Sequence, residues 1–453
     1  MNETRKTLIF AGVAIALLFL AFATGPGTQT PDEFMDLGEE FFPEFKDPNS
    51  ATTLEVVEYE EDTGAPRPFK VTFEKGIWTI PSHHNYPADG KDRLAQTAAH
   101  LIGLKKEGFR SSNVADHEAF GVVDPLDEAS TSLSGRGERL TIRGASGEIL
   151  ADLIIGKTTG EEENMNFVRV PGQKRVYVCS LDLDISTNFA DWVETDLLQI
   201  EKDAIETVTI LDYSINERTR RVVERDKLIL KKSGTEWNAN KMRSYQEVNA
   251  TKMGDLTSSL DELSIVGVRP KPAGLLQSLQ QEDGGIKISQ EALLSLQNKG
   301  YYLTREGNLL SNEGELQLAT STGVTYVLRF GEILYGSDTA ISVSSSNNTG
   351  PASSSGENRY LFITAGFNQD RFPEPKKRPT NMGFQGKTEG LTEEDKRNKK
   401  LHETYEAWKA KIANGERITE SLNERFAAWY YVISGDSYDK IHLKRQDLVA
   451  KKV

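Results

Sequence analysis

The sequence predicts an α+β fold: a tandem duplication of one mixed strand–helix domain behind a single N-terminal transmembrane helix. Three observations carry this expectation. An uncharged apolar run opens the chain. Beyond it, strand-like alternation and helix-like stripes recur in the same order after two tryptophans, Trp78 and Trp237. The second series is longer than the first by two polar insertions.

Residues 1–24 are read as a transmembrane anchor or a signal peptide. LIFAGVAIALLFLAFA, Leu8–Ala23, holds sixteen apolar or small residues and no charge. As a helix it spans about 24 Å, short of a hydrocarbon core of about 30 Å. Slight bilayer thinning and snorkelling of Arg5 and Lys6 cover the difference. Ala21-Phe22-Ala23 also suits a cleavage site, so a removed signal peptide is the rival. Arg5 and Lys6 precede the run, while DEFMDLGEEFFPEF after it holds six acids and no base. That asymmetry keeps the N-terminus cytoplasmic and places the bulk of the chain outside the inner membrane. Residues 25–50 are read as an acidic linker.

The first α+β repeat is assigned to 51–202. LEVVEY and FKVTFEKGIWTI alternate as strands, and a helix is expected from Ala88 with Asp89 as its N-cap. The second repeat is assigned to 203–453. IETVTIL and LILKKSGTEWNA are its strands, and Asn249 is placed to cap NATKMGDLTSSLDEL. Positions 16, 19, 23 and 26 after each Trp are Leu94, Thr97, Leu101 and Leu104, then Met253, Leu256, Leu260 and Leu263, one helical stripe each time. LTIRGASGEILADLIIGK and LQLATSTGVTYVLRFGE read as matching hairpins. Phe189-Ala-Asp-Trp192 and Phe426-Ala-Ala-Trp429 read as matching tetrapeptides.

The insertions fall near 337–358 and 390–424. The first is Ser/Asn/Gly-rich and reads as a loop. The second is densely charged and reads as a solvated helix beside the domain. Both are expected to be replaceable by short linkers without loss of folding.

The formal charge of −14 excludes a nucleic-acid partner, because phosphate binding needs clustered Lys and Arg. Cys179 is the only cysteine, so no intramolecular disulfide is possible. His83 and His84 are adjacent between two prolines. Neighbours in an extended segment point to opposite sides, and no His-x3-His or Cys-x2-Cys completes a zinc set. Ala151-Asp-Leu-Ile-Ile-Gly156-Lys157-Thr158 satisfies a relaxed phosphate-loop pattern. Its middle is a strand, however, and Glu161–Glu163 would repel a nucleotide. That acidic tract lacks the alternating oxygen ligands of a calcium loop. No catalytic, cofactor-binding or metal-ligating residue is assigned, and no cofactor or nucleotide is expected.

Trp78-x-Ile-Pro-Ser-His-His-x-Tyr-Pro-Ala-Asp89, GYYLTREGNLLSNEGELQLAT and FAAWYYVISGDSYDKIHLKRQDLV resemble the bacterial domain of unknown function 4340 family, in its long planctomycete-type form. The resemblance covers nearly all of the chain beyond the apolar run. It implies a membrane-anchored protein encoded beside ABC-type exporters, with no established activity or catalytic residues to carry over. The expected role is that of a non-enzymatic extracytoplasmic accessory or scaffold subunit, with the inner membrane and an exporter's membrane subunit as partners. Two alternatives stay open: a module binding a polysaccharide, peptide or lipoprotein, and an envelope hydrolase with dispersed carboxylates.

Overall fold

The computed structural model describes residues 13–17, 36–61, 64–130, 132–160, 164–183, 185–194, 196–216, 218–219, 221–275, 288–304, 306–335, 357–386 and 390–452. Strands outweigh helices, 37% against 28%, and the fold class is α+β. The chain divides into two compact units, Met1–Pro68 with Arg93–Ile185, and Phe69–Asp92 with Ser186–Val453.

The first elements in chain order are β1 (Ala51–Glu60), β2 (Ala65–Glu74), β3 (Ile77–Ile80), β4 (Tyr86–Pro87), α1 (Lys91–Leu101), β5 (Gly108–Ser111), the single turn α2 (His117–Phe120), β6 (Glu138–Gly144), β7 (Ile149–Thr158), β8 (Met165–Arg169) and β9 (Val176–Ser180). In the first unit the strands lie in the order β1-β6-β7-β8-β9-β5. Alternation explains the register: Leu54 and Val56 of β1 face Ile142 and Leu140 of β6, and all four are buried. Residues 36–50 pack onto this unit. Phe45 is buried, and Asp36 accepts a hydrogen bond from Tyr177 and pairs with Arg175 at 3.1 Å.

The remaining elements are β10 (Ile205–Asn216), β11 (Arg221–Ser233), β12 (Glu236–Ala239), β13 (Gln246–Val248), α3 (Ala250–Asp261), β14 (Gly267–Pro270), α4 (Gln290–Gln297), β15 (Tyr301–Leu303), β16 (Leu309–Ser311), β17 (Glu315–Thr320), β18 (Val324–Leu334), β19 (Asn358–Phe367), α5 (Glu393–Ala427), β20 (Trp429–Ile433), α6 (Gly435–Ile441), α7 (Arg445–Leu448) and β21 (Val449–Lys451). Their main sheet runs β12-β11-β10-β17-β18-β19-β20-β14. Asn249 caps α3, its side chain accepting from the Lys252 amide at 3.0 Å. The expected stripe of Met253, Leu256, Leu260 and Leu263 is buried, each side chain contributing about 1.5–3 kcal/mol. A separate cluster of Leu296, Tyr301, Phe362, Tyr430 and Val432 fills the space between α4 and the sheet.

Two turns place the landmark tryptophans alike. Lys75-Gly76, both at positive φ, closes β2 onto β3 and sets Trp78 opposite Phe73. Gly234-Thr235 closes β11 onto β12 and sets Trp237 opposite Lys232. The second pair of tryptophans differs. Trp192 lies in a short 3-10 turn that follows β9, whereas Trp429 is the first residue of β20 and pairs with Pro270. The FADW and FAAW tetrapeptides therefore do not correspond: each buries an aromatic cluster, but from a different point in the strand order. The helix expected from Ala88 begins instead at Lys91. The Asp89 amide is taken by the Trp192 carbonyl at 2.8 Å, and Gly90 is pressed against Val71 and Trp192.

The charged insertion is helical as expected. Its N-terminus carries a reciprocal capping box between Thr392 and Asp395. It packs on the sheet rather than standing free beside it. Its face packs on β19: Gly415 sits against the Phe367 ring, Leu422 and Phe426 are buried, and Asn423 pairs with both main-chain groups of Ala365 at 3.1 and 2.9 Å. Excising it would bare that surface to water. The 337–358 loop lies outside the described residues apart from its end.

Among the described residues, no helix is long and apolar enough to cross a membrane. The predicted anchor lies outside them except for Val13–Leu17, which are helical, with Val13, Ile15 and Leu17 exposed.

Candidate functional site

A cavity of about 400 Å³ in the first unit is walled by the start of β6, the end of β7, Asn166 of β8 and the segment after β9. Glycines let main chain meet main chain there. A Cβ on Gly156 would stand 2.4 Å from the Phe120 carbonyl oxygen, and one on Gly137 would stand 2.7 Å from that of Gly121. Gly121 ends α2 in the left-handed region, at φ 71°, which favours glycine. Leu181, Leu183 and Ile185 supply an apolar side.

The cations of this wall are already engaged. Arg136 donates to the carbonyls of Ser132, Asp124, Pro125, Asp127 and Ser130 and lies 4.3 Å from the Tyr59 ring centroid. Lys157 donates to the Ala119 carbonyl at 3.1 Å. Glu138 is different. Its Oε1 is buried and has no donor among the described residues. Burial, with a smaller push from Glu58, raises its carboxyl to about 7. A half-buried carboxyl in a small cavity with a value near neutrality is the combination that marks a functional site. Its neighbour Arg139 points the other way and is held by Asp152 at 2.7 Å and Asp124 at 3.1 Å.

A second, larger cleft of about 980 Å³ lies within the other unit, lined by Trp237, Lys232, the start of α3 and Lys451.

The residues weighed in the sequence fall elsewhere. His83 is buried and stacked on Phe189, ring centroids 4.3 Å apart, with Ser82 Oγ 3.0 Å from its Nδ1. His84 is exposed at φ 58°. His117 and His442 each hold a main-chain carbonyl, of Lys174 and Glu313, at 2.9 Å. Lys157 lies within strand β7, one residue from its end, and among the described residues no helix stands between β7 and β8 to cradle phosphate. Cys179 is buried in β9, its thiol pushed up to about 12 by burial. Glu161–Glu163 lie outside the described residues. No cluster of three or more His, Cys, Asp or Glu suited to a metal occurs among the described residues. Sequence reasoning passed over Glu138 because Gly-Glu at a strand start is ordinary surface composition. The fold sets it in one cavity wall with Gly121, Ile155 and Leu181, residues distant from it in the sequence.

Two helix-bearing antiparallel sheets with a polar, glycine-walled cavity define an α+β protein with a half-buried carboxyl, Glu138, in the cavity wall. Residues 78–278 match the family model described as Domain of unknown function (DUF4340), the family that the sequence resembles. The cavity's β6, β7 and β8 walls lie inside the match, and α5 lies beyond it. No curated protein and no solved structure matches the chain.

Proposed function

We propose that this chain is a non-enzymatic, membrane-anchored extracytoplasmic protein, an accessory or scaffold subunit of an envelope ABC-type exporter, whose body arose by tandem duplication. The duplication is supported by strand order: β2-β1-β6-β7-β8-β9-β5 maps one for one onto β11-β10-β17-β18-β19-β20-β14. Detail agrees. Gly156 and Gly331 sit at matching places in the β7 and β18 strands, each against the main chain of the segment that begins at Phe120 or Lys299.

The observation that carries the partner-binding role is a difference between the copies. β8 and β9 are joined by the short turn Val170–Arg175, while β19 and β20 are separated by a 35-residue helix. The packing of a sheet does not require such a helix, and its outer face carries Lys399, Glu403, Lys411 and Glu416, all exposed. Rigid scaffolds place recognition surfaces on additions of this kind. The anchor reading draws on the exposed apolar residues of Val13–Leu17 and on the charge asymmetry around them.

Photocrosslinking from Lys399 and Lys411 in intact cells, read by mass spectrometry, tests the proposal. A membrane subunit of an exporter among the products supports it. Crosslinks only to soluble cytoplasmic proteins, or none, refute it. A ligand-binding role is the second reading, favoured by the cavity at Glu138.

A further inference from the structure

We infer that the Glu138 cavity is a binding site for an organic cation, a guanidinium or ammonium head on a short apolar stem. The inference deepens the ligand-binding reading and rests on the duplication proposed above, because the second copy displays the same place filled.

Register sets the correspondence. Leu140 faces Leu153 across β6–β7, and Leu316 faces Leu328 across β17–β18. From there Ile155 answers to Phe330, Gly156 to Gly331 and Glu138 to Gly314. One strand further, Val168 faces Ile155 and Leu361 faces Phe330, so Asn166 answers to Arg359. The hydrogen bonds agree independently: Asn166 Nδ2 donates to the Gly156 carbonyl at 3.3 Å, and Arg359 Nη1 donates to the Gly331 carbonyl at 3.3 Å.

In the second copy side chains of the chain itself meet at this place. The Arg359 guanidinium pairs with Glu313 at 3.5 Å and lies 4.4 Å from the Tyr438 ring centroid. Tyr438, carried by α6, packs edge-on against Phe330. In the first copy the arginine is cut back to Asn166, the phenylalanine is Ile155, and β9 is followed by Leu181, Leu183 and Ile185 of the cavity lining, where β20 is followed by α6. A carboxylate remains at the start of the strand, one residue later in register, and its buried oxygen lacks a donor among the described residues. Arg136 and Lys157 are spent on carbonyls, so what the cavity offers is an acceptor and an apolar wall. A buried acceptor without a donor costs free energy, and a cationic head in the place of the Arg359 guanidinium supplies the missing bond.

Binding of n-butylguanidinium to the full chain, followed by calorimetry or NMR shifts, is the test, with 1-butanol as the neutral control. The cation should bind and the alcohol should not. Glu138 shares its surroundings with Glu58, Glu61, Lys157 and Arg136, and the cation requires its ionised form. With the carboxyl near 7, affinity should rise about tenfold from pH 6 to pH 8. Glu138→Gln should abolish binding while leaving the fold intact by circular dichroism. Asn166→Arg should also abolish it, by restoring the second copy's own plug. Tighter binding of Nα-acetyl-arginine methylamide than of free arginine points to a side chain on a protein partner, and the reverse to a free metabolite. Equal binding of butanol, no cation binding to the wild type, or binding unchanged in Glu138→Gln overturns the inference. Binding lost in Glu138→Gln but kept in Asn166→Arg upholds the site and removes only the equivalence with the second copy.

Discussion

Lys271 donates its Nζ proton to the carbonyl oxygen of Phe426, 2.8 Å away, at the last turn of α5. The ammonium group lies 3.8 Å from the Phe362 ring centroid, and the Lys271 amide donates to Ala428 at 2.7 Å. One residue beyond β14 thus fastens the end of the inserted helix to the sheet, and a cation there complements the helix dipole.

Lys271 is 7% exposed, and burial lowers its ammonium from 10.5 to about 7. Between these two values the unfolded chain binds more protons than the folded one, so this residue's contribution to stability rises with pH. Urea unfolding of the wild type and Lys271→Met at pH 7 and pH 9 should show the wild-type advantage growing by about 2 kcal/mol. A difference that is flat or shrinks over that range would show that the lysine stays charged when folded.

Three glycines should respond to alanine in opposite senses. A Cβ on Gly331 would stand 2.2 Å from the Lys299 carbonyl oxygen and 2.8 Å from the Tyr301 ring, and one on Gly156 would meet main chain at 2.4 Å. Either substitution should cost about 3 kcal/mol, since backbone cannot move aside cheaply. Gly254, exposed within α3 and with open space around it, should gain about 0.5–1 kcal/mol as alanine. Thermal denaturation of the three variants checks the ordering.

The adjacent histidines should separate sharply. His83→Ala removes a ring packed between Phe69 and Phe189 and should cost about 2–4 kcal/mol through the cavity left behind. His84→Gly should stay within about 0.5 kcal/mol of the wild type, because the residue is exposed and holds a backbone conformation that glycine adopts freely. Equal losses at the two positions would contradict this assignment.

What the sequence determined by itself was local. Apolar spacing after Trp78 and Trp237 marked the buried faces of α1 and α3, and Asn249 marked a helix start. Alternation marked the strands, because a strand's two faces are encoded every second residue. FKVTFEKGIWTI and LILKKSGTEWNA, each read as one strand, are split by turns at Gly76 and Gly234 into β2–β3 and β11–β12. The tertiary structure decided which strands meet, and with that everything about the site. It set Trp192 and Trp429 at different points of the strand order, although their tetrapeptides read alike. It half-buried Glu138 and buried Lys271, which composition assigns to the surface. It also placed Asn166 at the wall of a cavity, and elsewhere set the Arg359 guanidinium against Glu313 and the Tyr438 ring. The physical reason is that periodicity records whether a side chain avoids water, while desolvation of a charge and the shape of a cavity depend on residues far apart in the chain. Those residues are brought together only by register across the sheet.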